Sequence, residues 1–272
     1  MKLLFGTAGI PISANRNTIS GIEQIKKLGL GCMELEFVHG VNLSPASATL
    51  ISNTRGNIEL TAHSPYYVNL NAVEKAKRMA SRTHILKTAR IAWLCGAKSA
   101  TFHAAFYLKQ NQEKVYQSVK SELIEISRLL EEINNKIWLR PELTGKPTQF
   151  GNLREIIMLS QEIKQVLPCI DYAHYFARSI GKKNSHEDYA YILEQLEKSL
   201  GREALNNMHI HISGINYGEK GEKNHLPLRE SELNYQAIVQ TWKDYNINGC
   251  VICESPVLEE DALLLKKIFE SA

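Results

Sequence analysis

Eight short apolar runs recur along the chain, and a longer segment with helical periodicity separates each from the next. The runs span residues 2–6, 32–37, 58–62, 98–102, 137–141, 167–170, 208–212 and 250–253. In the intervening segments, such as 72–94 and 111–133, apolar side chains recur three or four positions apart, as in an amphipathic helix. Strands that alternate with helices predict a parallel sheet, and a count of eight fits closure better than an open sheet. The sequence therefore predicts an α/β protein built as a (β/α)8 TIM barrel.

Two local signals refine this outline. Ser20 and Glu23 have the spacing of a capping box at the start of the first helix, and Gly29 follows its last turn. Residues 213–230 are irregular and rich in Gly, Glu and Lys. We expect this segment to form a functional loop at the mouth of the barrel.

The length of 272 residues suits one barrel, and we predict a single domain over residues 1–272. No stretch approaches the roughly 18 apolar residues that a membrane span needs. The apolar part of the N-terminal sequence MKLLFGTAGI is too short for a secretory signal, so we expect a cytoplasmic protein with no membrane partner. We also predict a monomer. The five cysteines lie mostly in apolar runs, which favours buried thiols over disulfides. The formal charge of +3 permits a nucleic-acid partner without demonstrating one.

Histidines and carboxylates follow most of the apolar runs. In chain order these residues are His63, His103, Glu142, Asp171 with His174, His211 and Glu254, while His225 lies in the loop after the seventh run. In a (β/α)8 barrel the C-terminal strand ends meet at one mouth, so these distant side chains would share one pocket. Zinc and manganese accept imidazole nitrogen and carboxylate oxygen, and two ions can share a bridging carboxylate. The pattern predicts a hydrolytic site for more than one divalent ion.

Each of these residues also has an ordinary structural explanation. A single core histidine can serve only as a hydrogen-bonding group, and a glutamate at a strand end can cap the next helix. Buried carboxylates, however, are costly unless they are paired or bound to metal, and three of them converge here. His209 shares a strand face with His211 one layer deeper, and we expect it to support the site rather than to bind an ion.

Taken together, the motifs resemble those of the endonuclease IV family of abasic-site DNA repair enzymes, within the xylose-isomerase-like barrel group. The matching motifs, in order, are HSPYYVNL, FH, PEL, DYAH, HISG, NHLPL and CESP, between residues 63 and 256. The resemblance implies a deoxyribonuclease IV-like phosphoric diester hydrolase that acts on double-stranded DNA. It implies cleavage 5′ to the abasic site, a 3′-hydroxyl product, and a metal-bridging hydroxide stabilised by the catalytic Glu142.

The same resemblance implies two or three Zn²⁺ ions, with Mn²⁺ as an alternative. It assigns the first ion to His63, His103 and Glu142, the second to Glu142, Asp171, His211 and Glu254, and the third to His174 and His225. The family also has a carboxylate two positions before the last histidine, where this chain has Lys223. Glu222 or Glu219 could take its place, water could complete the third ion's sphere, or the third site could be empty.

The family resemblance also bears on DNA contact. Tyr66 follows His63 and matches the family's DNA-contacting tyrosine by position, which implies a substrate-binding role. A tyrosine there could stack beside a displaced sugar. Equally, it could pack against the barrel rim. The loop after the second run, VHGVNLSPAS, has His39 but no Phe, Tyr, Trp, Lys or Arg that could enter a DNA groove, as the family's loop does.

Two other functions remain open. A sugar isomerase or epimerase of the same barrel group would need a single divalent ion held by Glu142, Asp171, His211 and Glu254. The histidines at positions 63, 103, 174 and 225 would then have no role as ligands. A non-catalytic barrel that binds metal or nucleic acid as a scaffold is the third possibility.

Overall fold

Eight parallel strands form a nearly closed barrel in the computed structural model, which describes residues 2–271. The barrel strands are β1 (Leu3–Ala8), β2 (Cys32–Glu36), β3 (Glu59–His63), β4 (Ser99–Phe102), β5 (Trp138–Pro141), β6 (Cys169–Asp171), β7 (Met208–Ile212) and β10 (Gly249–Cys253). Two further strands, β8 (Gly214–Gly218) and β9 (Gly221–Leu226), lie between β7 and β10 in the chain. The barrel order is β5-β4-β3-β2-β1-β10-β7-β6, and β8 pairs with β9 outside it. Single parallel bridges, Leu139 to Val166 and Glu142 to Cys169, join β5 to the β6 side. The predicted (β/α)8 barrel is confirmed.

Helices separate most of the strands and cover the outside of the barrel. They are α1 (Thr18–Lys27), α2 (Pro45–Arg55), α3 (Lys75–Leu94), α4 (Gln112–Glu132), α5 (Leu153–Glu162), α6 (Tyr172–Arg178), α7 (His186–Leu200), α8 (Arg202–Leu205), α9 (Tyr235–Asp244) and α10 (Glu259–Glu270). None of the helices within residues 2–271 combines the length and hydropathy that crossing a membrane requires. A parallel strand needs a crossover to return to the same end of the sheet, and these helices supply it.

The barrel strands carry apolar residues on their outer face and several polar residues on their inner face. Ile210 and Ile212 of β7 belong to the core between the barrel and the helices, as do Met33 and Leu35 of β2. Because side chains alternate along a strand, the residues between them point to the barrel axis, and Glu34 is one of these. This alternation places ionisable side chains inside the barrel, and those nearest the C-terminal ends of the strands form the mouth.

The predicted cap of the first helix is wrong. The Asn17 side chain accepts a hydrogen bond from the Ser20 amide at 2.9 Å, so the helix begins at Thr18. The Ser20 hydroxyl instead accepts a hydrogen bond from the Asn15 amide at 3.2 Å. Asparagine is among the best N-cap residues, and Asn17 caps the helix in place of Ser20.

We expect Asn17→Ala to lower the free energy of unfolding by about 1 kcal/mol, since it removes the acceptor that satisfies an amide of the first turn. Urea denaturation of the two proteins would measure this difference. Ser20→Ala is the matched control and should have a smaller effect. A larger loss with Ser20→Ala than with Asn17→Ala would contradict the observed cap.

The predicted loop over residues 213–230 is largely a β-hairpin, formed by β8 and β9. Its main chain is attached to the barrel mouth, because the Glu222 amide donates to the Gly145 carbonyl at 3.1 Å. The Phe176 ring of α6 lies 5.0 Å from the Tyr217 ring of β8. The expected position at the mouth is correct, while the expected irregular backbone is not.

Candidate metal centre

All eight predicted ligand residues lie together at the C-terminal mouth of the barrel. They come from β3 (His63), the loop after β4 (His103), the loop after β5 (Glu142), β6 (Asp171), α6 (His174), β7 (His211), β9 (His225) and the loop after β10 (Glu254). Their potential ligand atoms fall into groups within which all atoms lie within 4.8 Å of one another. The barrel thus brings these distant positions into one site, as expected from the positions of the strand ends.

The first group consists of His63, His103 and Glu142. Glu142 Oε2 lies 3.3 Å from His63 Nε2, and Oε1 lies 3.2 Å from His103 Nε2. His63 Nδ1 lies 2.6 Å from the Ser64 carbonyl, which fixes the ring with Nε2 towards the group. Burial alone would raise the pKa of Glu142, but the His103 and His211 imidazoles hold the pKa well below its ordinary value. Glu142 is therefore a carboxylate at neutral pH.

The second group joins Glu142, Asp171 and His211, with Glu254 beside them. His211 Nδ1 lies 3.3 Å from Glu254 Oε1 and 3.7 Å from Glu142 Oε2. Burial raises the pKa of Asp171 to about 6, against the opposing effect of His174. Asp171 Oδ2 and His211 Nδ1 are buried and form no hydrogen bond with residues 2–271. Buried polar atoms without partners are costly, and a divalent cation would satisfy both, so this donor set fits a metal ion.

The third group consists of His174, Glu222 and His225. His174 Nδ1 and His225 Nδ1 lie 2.9 and 3.1 Å from main-chain carbonyls, which leaves both Nε2 atoms free for the group. His174 Nε2 lies 3.5 Å from Glu222 Oε2. Lys223 and Glu219 are both exposed. Of the alternatives that the sequence leaves open, the structure places the Glu222 carboxylate at this position.

Sequence reasoning missed two carboxylates, Glu34 and Glu36, because it considered residues that follow the apolar runs and both lie inside the predicted run 32–37. Glu34 is fully buried, with its oxygens 2.8 Å from His211 Nε2 and 2.9 Å from His209 Nε2. The Thr61 hydroxyl donates to the same carboxylate at 2.6 Å. Glu34 thus lies behind the site on the Nε2 side of His211, while His211 Nδ1 faces Glu254 and Glu142. His209 lies one layer deeper, in the position expected of a supporting residue. The alternating carboxylates in CMELEF were the signal that could have identified both glutamates.

Carboxylates and imidazoles lie so close together in the centre that they shift one another's pKa. Burial and the nearby Glu34 carboxylate raise the pKa of Glu36 to about 8. Burial opposes protonation of His63, yet the adjoining Glu142 raises the pKa of this imidazole to about 9. Five carboxylates share this interior: Glu34, Glu36, Glu142, Asp171 and Glu254. Without added cations these carboxylates share protons with one another and with the imidazoles, which limits their mutual repulsion, and bound divalent cations would replace those protons.

The mouth forms a cavity of about 260 Å³ above these groups. Tyr66 lies at its rim, 51% exposed, with its ring 5.2 Å from the His63 ring. Lys146 also lines the cavity. Arg178 does not serve as a free cation at the mouth, because its guanidinium donates to the carbonyls of the loop that follows β5. A larger cavity of about 480 Å³ lies between α5, α6 and α7, away from the ligand groups.

Solved structures with the same fold include proteins of different activities. A D-tagatose 3-epimerase-like protein matches with a TM-score of 0.74 at 17% identity, over 100% of this chain and 96% of its own. Endonuclease IV from Thermus thermophilus matches with a TM-score of 0.73 at 19% identity, over 100% and 98%. The 3-keto-D-glucoside 4-epimerase of E. coli matches with a TM-score of 0.71 at 16% identity, over 98% and 99%. At these identities the likeness establishes the fold alone.

Sequence similarity places the chain more narrowly. An uncharacterised protein of Methanocaldococcus jannaschii is 46% identical over 269 residues, which cover 99% of this chain and 97% of the relative. The sequence pattern of the xylose isomerase-like TIM barrel family matches residues 22–268. That range includes the strands from β2 to β10 and every predicted ligand. The chain therefore belongs to the xylose isomerase-like TIM barrel family.

Proposed function

We propose that the protein is a metal-dependent phosphodiesterase that cleaves double-stranded DNA 5′ to abasic sites and leaves a 3′-hydroxyl. The observation that carries this proposal is the presence of three ligand groups around one mouth, linked through Glu142 and the adjoining His174. A one-ion site would use only the second of these groups. The resemblance to endonuclease IV, in sequence motifs and in fold, supports the same activity.

The residues fit zinc, with manganese as an alternative, because imidazole and carboxylate groups suit both ions. When bound, the cations would supply Lewis-acid activation of water and of a phosphoryl group. The chain itself supplies ionised Glu142, whose Oε1 faces His103 and His174 and whose Oε2 faces His63 and His211. Tyr66 at the rim would contact the abasic sugar, and Lys146 would attract a phosphate.

We expect the purified protein to contain about two to three zinc or manganese ions per chain and to nick a duplex that carries a tetrahydrofuran abasic analogue. The measurement is cleavage of end-labelled duplex, with and without chelator, together with elemental analysis. The same duplex without the analogue is the control. Protein that carries its metal yet leaves the abasic duplex intact would contradict the proposed substrate, and protein free of metal would contradict the mechanism.

A sugar epimerase is the second candidate, because Glu142, Asp171 and His211 form one group, Glu254 lies 3.3 Å from His211, and the cavity of about 260 Å³ could admit a small ligand. His103 distinguishes the two functions. In a phosphodiesterase we expect His103→Ala to lower activity by about 100-fold or more, since the first group loses a ligand. In an epimerase the same variant should keep its ion and most of its activity. Parallel assays with abasic duplex and with ketoses, plus metal analysis, would decide between them.

A further inference from the structure

The second strand of the β8–β9 hairpin contains one residue more than its partner strand. Ile215 pairs with His225 and Asn216 with Asn224, but Tyr217 pairs with Glu222. The register therefore shifts by one between Asn216 and Tyr217, and Lys223 is the residue without a partner on β8. An unpaired extra residue of this kind is a β-bulge.

The bulge determines which way the Glu222 side chain points. Residues three apart in a regular strand face opposite sides, so Glu222 and His225 would normally diverge. With the bulge they pair with Tyr217 and Ile215, which are two apart and so share a face. Ile215 is 2% exposed, so that face is the one turned towards the barrel.

The other face of the hairpin points to solvent. Asn216 and Asn224 are exposed, and Lys223 is exposed beside them. A direct position-by-position comparison would place Lys223 at the carboxylate position, two before His225. In the structure Lys223 is instead the extra residue of the bulge, so Glu222 occupies the position from which a carboxylate reaches His174.

We propose that Glu222 is the carboxylate ligand of a third divalent cation, shared with His174 and His225, and that the bulge at Lys223 is what presents it. The inference rests on the proposed multi-cation site but not on the DNA substrate. His174 belongs to α6 and the other two ligands belong to the hairpin. The third cation therefore also joins the hairpin to the barrel, and it orders residues 214–226 when it binds.

The test is zinc content per chain by elemental analysis, combined with hydrogen exchange of residues 214–226 with and without zinc. We expect about three ions for the unaltered protein and about two for Glu222→Ala, with zinc-dependent protection of the hairpin lost in the variant. Glu219→Ala is the matched control, since it removes an exposed carboxylate from the turn of the same hairpin, and it should keep the third ion.

Deletion of Lys223 gives the most specific result. Without the extra residue the bulge disappears, and Glu222 and His225 become two apart on one face, so we expect the deletion variant to keep the third ion. An unaltered protein that binds only two ions, or a Glu222→Ala variant that keeps three, would overturn the proposal, as would loss of the ion in Glu219→Ala. Failure to cleave abasic DNA with three ions bound would leave it standing and would reject only the substrate.

Discussion

Replacing Glu142 by glutamine is expected to lower phosphodiesterase activity by about 1000-fold or more and to reduce the metal content of the protein. Glu142 Oε1 faces His103 and His174, while Oε2 faces His63. Glutamine keeps the shape of the side chain but loses the charge and one of the two acceptor oxygens. Glu142 belongs to both the first and the second group, so this single change removes a ligand from both.

The measurement is the rate of nicking of the abasic duplex at saturating zinc, alongside zinc analysis and circular dichroism. Glu122→Gln is the matched control. Glu122 of α4 is also a poorly exposed glutamate, but it pairs with Arg78 and Arg82 of α3 and belongs to none of the ligand groups. It should lower stability without lowering activity. If Glu142→Gln folds, keeps all its metal and retains activity within a few-fold of the unaltered protein, the bridging role assigned to Glu142 is wrong.

The barrel and the convergence of the predicted ligand residues could be predicted from the sequence for a simple reason. Parallel strands separated by helices must all end on the same side, so polar residues that follow apolar runs share a location whatever their distance in the chain. His63 and Glu254 are 191 positions apart in sequence (254 − 63) and still line one cavity. Only the alternation of elements and a count of strands were needed.

The remaining features depended on geometry that the order of residues does not specify. Glu34 lies inside an apolar run, and its role is set by two histidines of β7 on the opposite side of the barrel. Glu222 depends on a one-residue bulge, which changes the strand face without any change in composition. The first helix begins at Thr18 because the Asn17 side chain caps the Ser20 amide, three residues before the predicted cap at Ser20. The two-residue period of a strand does not show which side chains meet across the barrel, and it fails where a bulge adds a residue to one strand.

The protein stripped of metal is expected to become less stable as the pH rises from about 6.5 to about 9. His63 has a pKa near 9 in the folded state, against an ordinary value of about 6.5, because Glu142 outweighs the effect of burial. Since the pKa is raised by folding, this stabilisation is fully present below the unfolded pKa and is lost as pH rises through the folded one. The contribution of His63 alone amounts to about 3 kcal/mol. Glu36 acts in the same direction, because burial and Glu34 raise the pKa of its carboxyl to about 8.

Zinc should reverse this dependence. Metal binding requires neutral imidazoles and ionised carboxylates, so it displaces the protons that the stripped centre retains, and its affinity rises over the same pH range. Urea denaturation at pH 6.5 and pH 9, with chelator and with excess zinc, would measure both trends, and His63→Ala should flatten the slope of the chelated protein. Equal or greater stability of the chelated protein at pH 9 would mean that the buried carboxylates are not held by shared protons. The crowding of carboxylates and imidazoles at the mouth would then no longer argue that the centre is built for cations.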